Sequence, residues 1–291
     1  MNSTEDRNPN SHDLDLKSIR EILEIINQED QTVAIRVKDS LGQIESLVDE
    51  LVNVFNKGGR LFYLGAGTSG RLGVVDASET VPTFSVDPSM VTGLIAGGDD
   101  ALRNPIENAE DSRRAAKLDL EKNSLSENDF VIGIAASGRT PYSIGAVEYA
   151  KKIGAKTGSI ACNRAAEISS YVDYPIEVET GPEVLSGSTR MKAGTATKMV
   201  LNMITTTAMI KMGKVYDNLM VDLRPTNEKL VDRATKIISE ISGCDYEKSN
   251  RLLKEANNNV KVAIIMASKN VGHEHAEKIL KNNKGFIRED L

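Results

Sequence analysis

Tryptophan is absent, and aromatic residues make up only 4% of the chain. Few aromatic side chains are therefore available to a core. Cysteine is scarce as well: Cys162 and Cys244 are the only two among 291 residues. Neither lies in a CxxC or Cys/His spacing, so a disulfide framework and a thiolate metal site are not expected, and two reduced, buried thiols are. Histidine is limited to His12, His273 and His275. His273 and His275 have no further ligand-like neighbour and read as surface residues, so no metal is expected. No apolar run reaches about 18 residues, so no membrane partner or spanning helix is expected. Basic residues are outnumbered, 36 Lys and Arg against 42 Asp and Glu, for a net charge of −6. No Lys/Arg run interleaves with aromatics, which argues against nucleic acid as a partner. The start of the chain is polar and acidic with no apolar leader segment, and residues 1–12 read as a disordered lead-in.

Apolar content of 40% and charged content of 27% are those of an ordinary globular protein. From Leu14 to Phe55 the periodicity is helical, with one apolar stripe through Leu16, Ile19, Leu23 and Ile26. A second stripe runs through Val37, Ile44, Leu47, Leu51 and Phe55. Strands and helices then alternate. Strands are predicted over 60–64, 90–96, 129–135, 156–162 and 174–178, and helices over 71–79, 101–122 and 142–152. This alternation predicts an α/β fold with a five-stranded parallel sheet flanked by helices. Residues 189–212, rich in Ala, Met and Thr, predict a helix buried on nearly all sides. Residues 213–226 read as irregular, and the remainder as short helices separated near Gly243, Asn257 and Gly272. The expected organisation is a lead-in with helices packing on the core over 1–57, a ligand-binding α/β domain over 58–226, and a helical subdomain over 227–291.

Two turns carry the same phrase. Gly65-Ala66-Gly67-Thr68-Ser69-Gly70-Arg71 follows the first predicted strand, and Ala135-Ala136-Ser137-Gly138-Arg139-Thr140-Pro141 follows the third. Both end a strand and open a helix, where free backbone N–H groups and the helix dipole favour an anion. The first contains a G-x-G-x-x-G spacing, but a dinucleotide site wants an acidic residue about 20 residues on to hold the ribose, and the next strand instead ends in Ala96-Gly97-Gly98-Asp99, so a dinucleotide is disfavoured. The hydroxyls of Thr68, Ser69, Ser137 and Thr140, with the backbone at Gly70 and Gly138, suit the phosphate of a sugar phosphate. A serine before a helix is also an ordinary N-cap, and a cap can bind an anion as well. A third hydroxyl-bearing segment, Gly187-Ser188-Thr189-Arg190, precedes the buried helix and either closes the site or caps that helix.

Glu79 lies just beyond the first turn, among small residues. Partial burial there would raise its pKa toward the working range of an acid. Glu110, in Ala109-Glu110-Asp111-Ser112, has no feature that separates it from a solvated helix face.

The runs Gly65-Ala66-Gly67-Thr68-Ser69-Gly70-Arg71-Leu72-Gly73, Asp76-Ala77-Ser78-Glu79 and Gly187-Ser188-Thr189-Arg190-Met191-Lys192-Ala193-Gly194 resemble the N-acetylmuramic acid 6-phosphate etherases, a branch of the sugar isomerase (SIS) fold. The resemblance spans nearly the whole chain. It implies a cytoplasmic homodimer acting in cell-wall recycling. The reaction would be lyase cleavage of the D-lactyl ether of the sugar phosphate, without metal or organic cofactor. It also implies Glu79 as the acid at the ether oxygen and Glu110 as the base at C2, with Ser188 near the substrate. The alternative is a sugar-phosphate-binding regulatory protein of the same fold, and the presence of both glutamates favours the enzyme. The chain departs from the family pattern at Thr80-Val81-Pro82 and at Arg164-Ala165-Ala166.

Overall fold

A parallel sheet is covered on both faces, and its strands therefore run as nearly continuous apolar stretches. In the computed structural model, which describes residues 3–288, three helices come first: α1 (Ile19–Gln31), α2 (Val33–Asp39) and α3 (Leu41–Asn56). Then follow β1 (Leu61–Gly65), α4 (Gly67–Phe84), β2 (Val91–Ile95), α5 (Asp100–Arg103) and α6 (Arg113–Lys122). Next come β3 (Phe130–Ile134), α7 (Pro141–Ile153), β4 (Lys156–Ala161), β5 (Tyr174–Glu177) and the long α8 (Lys192–Lys211). A small hairpin of β6 (Val215–Tyr216) and β7 (Leu219–Met220) precedes α9 (Glu228–Ser242), α10 (Tyr246–Glu255), α11 (Val260–Lys269) and α12 (His273–Asn282).

The five long strands pair in the order β2-β1-β3-β4-β5, all parallel. The α/β class and the five-stranded parallel sheet are as expected from the sequence. The chain divides into two compact units. One comprises the residues up to 78 together with 89–205, and holds the sheet. Phe62, Leu64, Val131, Tyr142, Ile144 and Val147 belong to its core. The other comprises 79–88 and the residues from 206 onward, with a core that includes Val221, Ile238, Leu253, Ile264 and Ile265.

Five local expectations are corrected. The disordered lead-in is not found. Met1 and Asn2 lie outside the described residues, and from Ser3 the chain is ordered, with Thr4 and Asn8 buried. The partners of Thr4 and Asn8 at Asn163 and Pro182 lie more than 150 residues away in sequence, where local composition carries no trace of them. The single helix expected over 101–122 is broken: Asn104 is extended before Pro105, Asn108 is left-handed at φ 61°, and Ser112 caps a fresh start at α6. Within 213–226, Asp217 at φ 53° turns the β6–β7 hairpin. Cys244 is half-buried rather than buried, whereas Cys162 is buried and both are free thiols. The first apolar stripe is also exposed: Leu16, Ile19 and Leu23 are 81%, 79% and 58% accessible, while Ile44, Leu47, Leu51 and Phe55 of the second are buried.

Candidate active site

β1 and β3 are neighbours, with Gly65 paired to Ile134, so both Ser-Gly-Arg turns leave the same edge of the sheet side by side. In the first, Gly67 takes φ 52° and starts α4 directly, placing Thr68, Ser69 and Gly70 in the first helical turn. The leading N–H groups of such a turn lack intrahelical partners, and the Gly70 N–H donates to Ala66 O at 3.2 Å. Gly65 and Gly70 are required by packing: a Cβ at 70 would lie 2.5 Å from the Gly65 carbonyl oxygen. This close helix–strand contact accounts for the G-x-G-x-x-G spacing without a dinucleotide. Arg71 is tied to the neighbouring helix. Its guanidinium donates to the carbonyls of Ala101 at 2.7 Å and Leu102 at 3.0 Å, fixing α5.

In the second turn Gly138 is left-handed at φ 76°, and its N–H donates to Ala135 O at 2.8 Å. Ser137 Oγ accepts from the Arg139 N–H at 3.3 Å. Thr140 is the N-cap of α7 but makes no side-chain capping bond, and Pro141 occupies the first helical position. The hydroxyl is thus not consumed by the helix. Gly138 packs on Ala166, where a Cβ would come within 2.5 Å of the alanine methyl. Glu177 holds that neighbouring loop, accepting the N–H groups of Ala165 and Ala166, both at 2.9 Å, and the Ser169 hydroxyl at 2.6 Å. The departure at Arg164-Ala165-Ala166 thereby acquires a role: two alanines supply two N–H donors to one carboxylate.

The third segment meets the first turn. A Cβ on Gly194 would lie 3.4 Å from Thr68 Cγ2 and 3.5 Å from Thr189 O, which brings 187–194 beside Thr68. Ser188 does not cap α8. Glu183, wholly buried, does so by accepting the N–H groups of Lys192 and Ala193, both at 2.9 Å. Burial pushes the Glu183 carboxyl up, against those two amides and the Lys192 ammonium. Sequence inspection missed Glu183 because its partners are assembled only by the turn that follows it.

Glu110 sits on a short 3-10 turn with its side chain exposed. It lines a cavity of ≈ 210 Å³ together with Gly67, Arg71, Ala96, Ile106 and Asn108. A second cavity of ≈ 210 Å³ is lined by Ser137, Arg139, Asn163, Ala166 and Glu167. Glu79 lies on α4 with its side chain exposed, on the face that also exposes Val75 and Ser78. The burial expected of it is therefore not found. The buried carboxyl on that helix is Asp76, which the sequence reading passed over. It accepts from Asn202 Nδ2 at 2.7 Å and Thr205 Oγ1 at 3.2 Å and faces the Tyr63 hydroxyl. Burial raises its pKa above the ordinary value, against those hydrogen bonds. Among the described residues no group of His, Cys, Asp and Glu is arranged to hold a metal ion.

The chain matches two domain families: the glucokinase regulatory protein N-terminal SIS domain over residues 43–151, and the SIS domain over residues 107–207. Over its full length it is similar to enzymes. It is 54% identical to N-acetylmuramic acid 6-phosphate etherase 2 of Enterococcus faecalis over 289 residues, covering 99% of this chain and 98% of that protein. It is 55% identical to the N-acetylmuramic acid 6-phosphate etherase of Listeria monocytogenes serotype 4b over the same length, with the same coverage of both chains. The chain belongs to the N-acetylmuramic acid 6-phosphate etherase family. This etherase-family chain shares its fold with a solved protein of E. coli CFT073, at a TM-score of 0.51 and 14% identity over 69% of this chain and 97% of that one. A phosphoheptose isomerase from Francisella tularensis aligns at a TM-score of 0.50 and 14% identity, over 65% of this chain and 100% of that one.

Proposed function

We propose that this chain is a carbon–oxygen lyase that converts N-acetylmuramic acid 6-phosphate to N-acetylglucosamine 6-phosphate and D-lactate in cell-wall recycling. The observation that carries the reading is that Glu110 lines one cavity with Gly67, where the first anion turn begins. In the proposed chemistry the open-chain aldehyde acidifies the proton at C2. Glu110 takes that proton, the C3–O bond breaks, and Glu79 protonates the departing lactyl oxygen. Water then adds across the C2–C3 double bond, returning a proton to C2 and a hydroxyl to C3. Thr68, Ser69, Gly70, Ser137, Gly138, Thr140 and Ser188 bind the sugar phosphate, and their binding energy positions C2 and C3. No metal or organic cofactor takes part in this scheme.

The proposed assembly is a homodimer, supported by the unpartnered stripe of Leu16, Ile19 and Leu23. Leu23→Glu in that stripe should yield a monomer in light scattering. The proposed setting is the cytoplasm, where phosphorylated sugars and free thiols such as Cys162 and Cys244 persist.

The test is lactate release from N-acetylmuramic acid 6-phosphate in deuterated water. Wild type should release lactate and place deuterium at C2 of the sugar product. Glu79→Gln should abolish release yet still exchange the C2 proton of the product, and Glu110→Gln should lose both. Tight binding of the sugar phosphate by wild type with no lactate released would overturn the enzyme reading in favour of a regulatory protein.

A further inference from the structure

Residues 3–11 carry no aliphatic or aromatic side chain except Pro9, yet they are ordered and partly buried. They are held by polar contacts, and those contacts converge on two loops of the candidate site. At one end Asn163, itself buried, uses its whole side-chain amide. Its Oδ1 accepts from the Thr4 N–H at 3.2 Å, and its Nδ2 donates to Thr4 Oγ1 at 3.0 Å and to Ala136 O at 3.1 Å. Ala136 is the residue before Ser137, and Asn163 lines the same cavity as Ser137. At the other end Asn8 Nδ2 donates to Pro182 O at 3.1 Å, and Ser11 Oγ to Val184 O at 2.8 Å. These two carbonyls flank Glu183, the cap of α8, and open the segment that leads to Ser188. Asn10 Nδ2 also reaches Glu29 at 2.8 Å, and Glu29 pairs with the buried Lys192 at 2.5 Å.

The geometry points to residues 3–11 as a strap that sets the affinity of the site for the sugar phosphate, with Asn163 as the positioning residue through which it acts on the Ser137 turn. The inference rests on the sugar-phosphate reading of that turn. A segment secured by hydrogen bonds, with little apolar burial, opens at low cost in free energy. When it opens, Asn163 loses Thr4 as partner of both its amide oxygen and its amide nitrogen, so the amide that supports Ala136 O beside the Cys162 N–H is no longer held in place, and the turn of Ser137 and Gly138 is less pre-organised for an anion. Binding of the anion should in turn hold the strap closed, because coupling between two sites is reciprocal.

The experiment compares wild type, Asn163→Ala and Thr4→Val in the full chain. Thr4→Val keeps the shape of the side chain and removes its oxygen. Asn163→Ala should lower kcat/KM for N-acetylmuramic acid 6-phosphate about tenfold, with the fall lying in KM, and Thr4→Val should shift KM the same way by a smaller factor. Hydrogen exchange supplies the readout that a purely structural role would not move. Saturating N-acetylglucosamine 6-phosphate should slow exchange of the amides of 3–11 in wild type and not in Asn163→Ala. If Asn163→Ala does not fold, Thr4→Val carries both measurements. Unchanged KM in the folded variants, or product binding that leaves exchange of 3–11 untouched, overturns the strap while the etherase reading stands. Failure of wild type to release lactate or to bind the product overturns the etherase reading and removes the basis of the strap with it.

Discussion

Gly70 faces the carbonyl of Gly65 so closely that a Cβ at position 70 would sit 2.5 Å from that oxygen and 2.6 Å from Ile95 Cγ1. Helix α4 can only leave β1 at this angle if both positions lack side chains. Gly70→Ala should therefore cost about 3 kcal/mol of stability, the upper range for overpacking a tight contact. It should also raise KM, because the strain is relieved by moving the turn that carries Ser69. Urea denaturation and steady-state kinetics on the same preparation would check both. A destabilised variant with unchanged KM would separate the packing of this turn from ligand binding.

Ser69→Ala and Ser137→Ala each remove one proposed phosphate donor and leave the backbone amides in place. Each should raise KM about tenfold, consistent with the loss of about 1.5 kcal/mol for a hydrogen bond to a charged group, and should change kcat less. Initial rates over a range of substrate concentration decide the matter. Unchanged KM in both would remove the two turns from the phosphate site.

Asp129 is 2% accessible and ties the start of β1 to the start of β3. It accepts from the Arg60 N–H at 2.9 Å, from Arg60 Nη2 at 2.8 Å and from the Ser126 N–H at 2.9 Å. Burial works to raise its pKa, and these donors outweigh it, so the carboxyl titrates below its ordinary 3.8. A depressed carboxylate contributes stability that is complete above the unfolded value and is lost as the pH falls through the folded one. Thermal melts of wild type from about pH 7 to about pH 3 should thus fall steeply below about pH 4. Asp129→Asn should start from a lower melting temperature and show a shallower acid limb. Asp129→Ala, which leaves Arg60 uncompensated, should cost about 3 kcal/mol.

Asp76 has the opposite sign. Burial lifts its pKa above 3.8 despite hydrogen bonds from Asn202 and Thr205. A carboxyl that titrates higher in the folded state than in the unfolded one loses stability as the pH rises through that interval. Asp76→Asn keeps an oxygen for Asn202 and Thr205 and removes the charge. Its melting temperature near neutral pH should equal or exceed that of wild type. Asp76→Ala should be destabilised by about 1–3 kcal/mol, because Asn202 is left without its acceptor. Calorimetry of the pair against wild type tests the sign, and a large loss in Asp76→Asn would refute it.

Much of the fold was legible because it is written in local periodicity. All five sheet strands lie within a residue or two of their expected bounds, since apolar runs stopped by glycine are short-range signals. The two Ser-Gly-Arg turns were legible for the same reason: each is one contiguous phrase. What escaped notice depends on residues distant in sequence. Nothing local marks Asp76 as buried, because its partners Asn202 and Thr205 lie 126 and 129 residues further on. Glu183 became a cap only when 181–193 folded back on itself. The lead-in looked disordered because its composition is polar, and its polarity is what Asn163, Pro182 and Val184 satisfy. Glu79 illustrates the reverse case, where small apolar neighbours in sequence predict burial and the helix turns that face outward.

The level ending of β1 and β3 has a consequence for specificity. Because Gly65 pairs with Ile134, the two anion turns are separated by one strand interval, ~4.8 Å in any sheet. That separation is a lattice constant of the backbone and does not vary with the side chains of either turn. Substitutions within the turns can weaken or strengthen the proposed grip on a phosphate, yet they leave the spacing between the two turns unchanged. Discrimination among sugars carrying the same phosphate must therefore be written elsewhere, in segments such as 104–111 and 187–194 that are not rungs of the sheet.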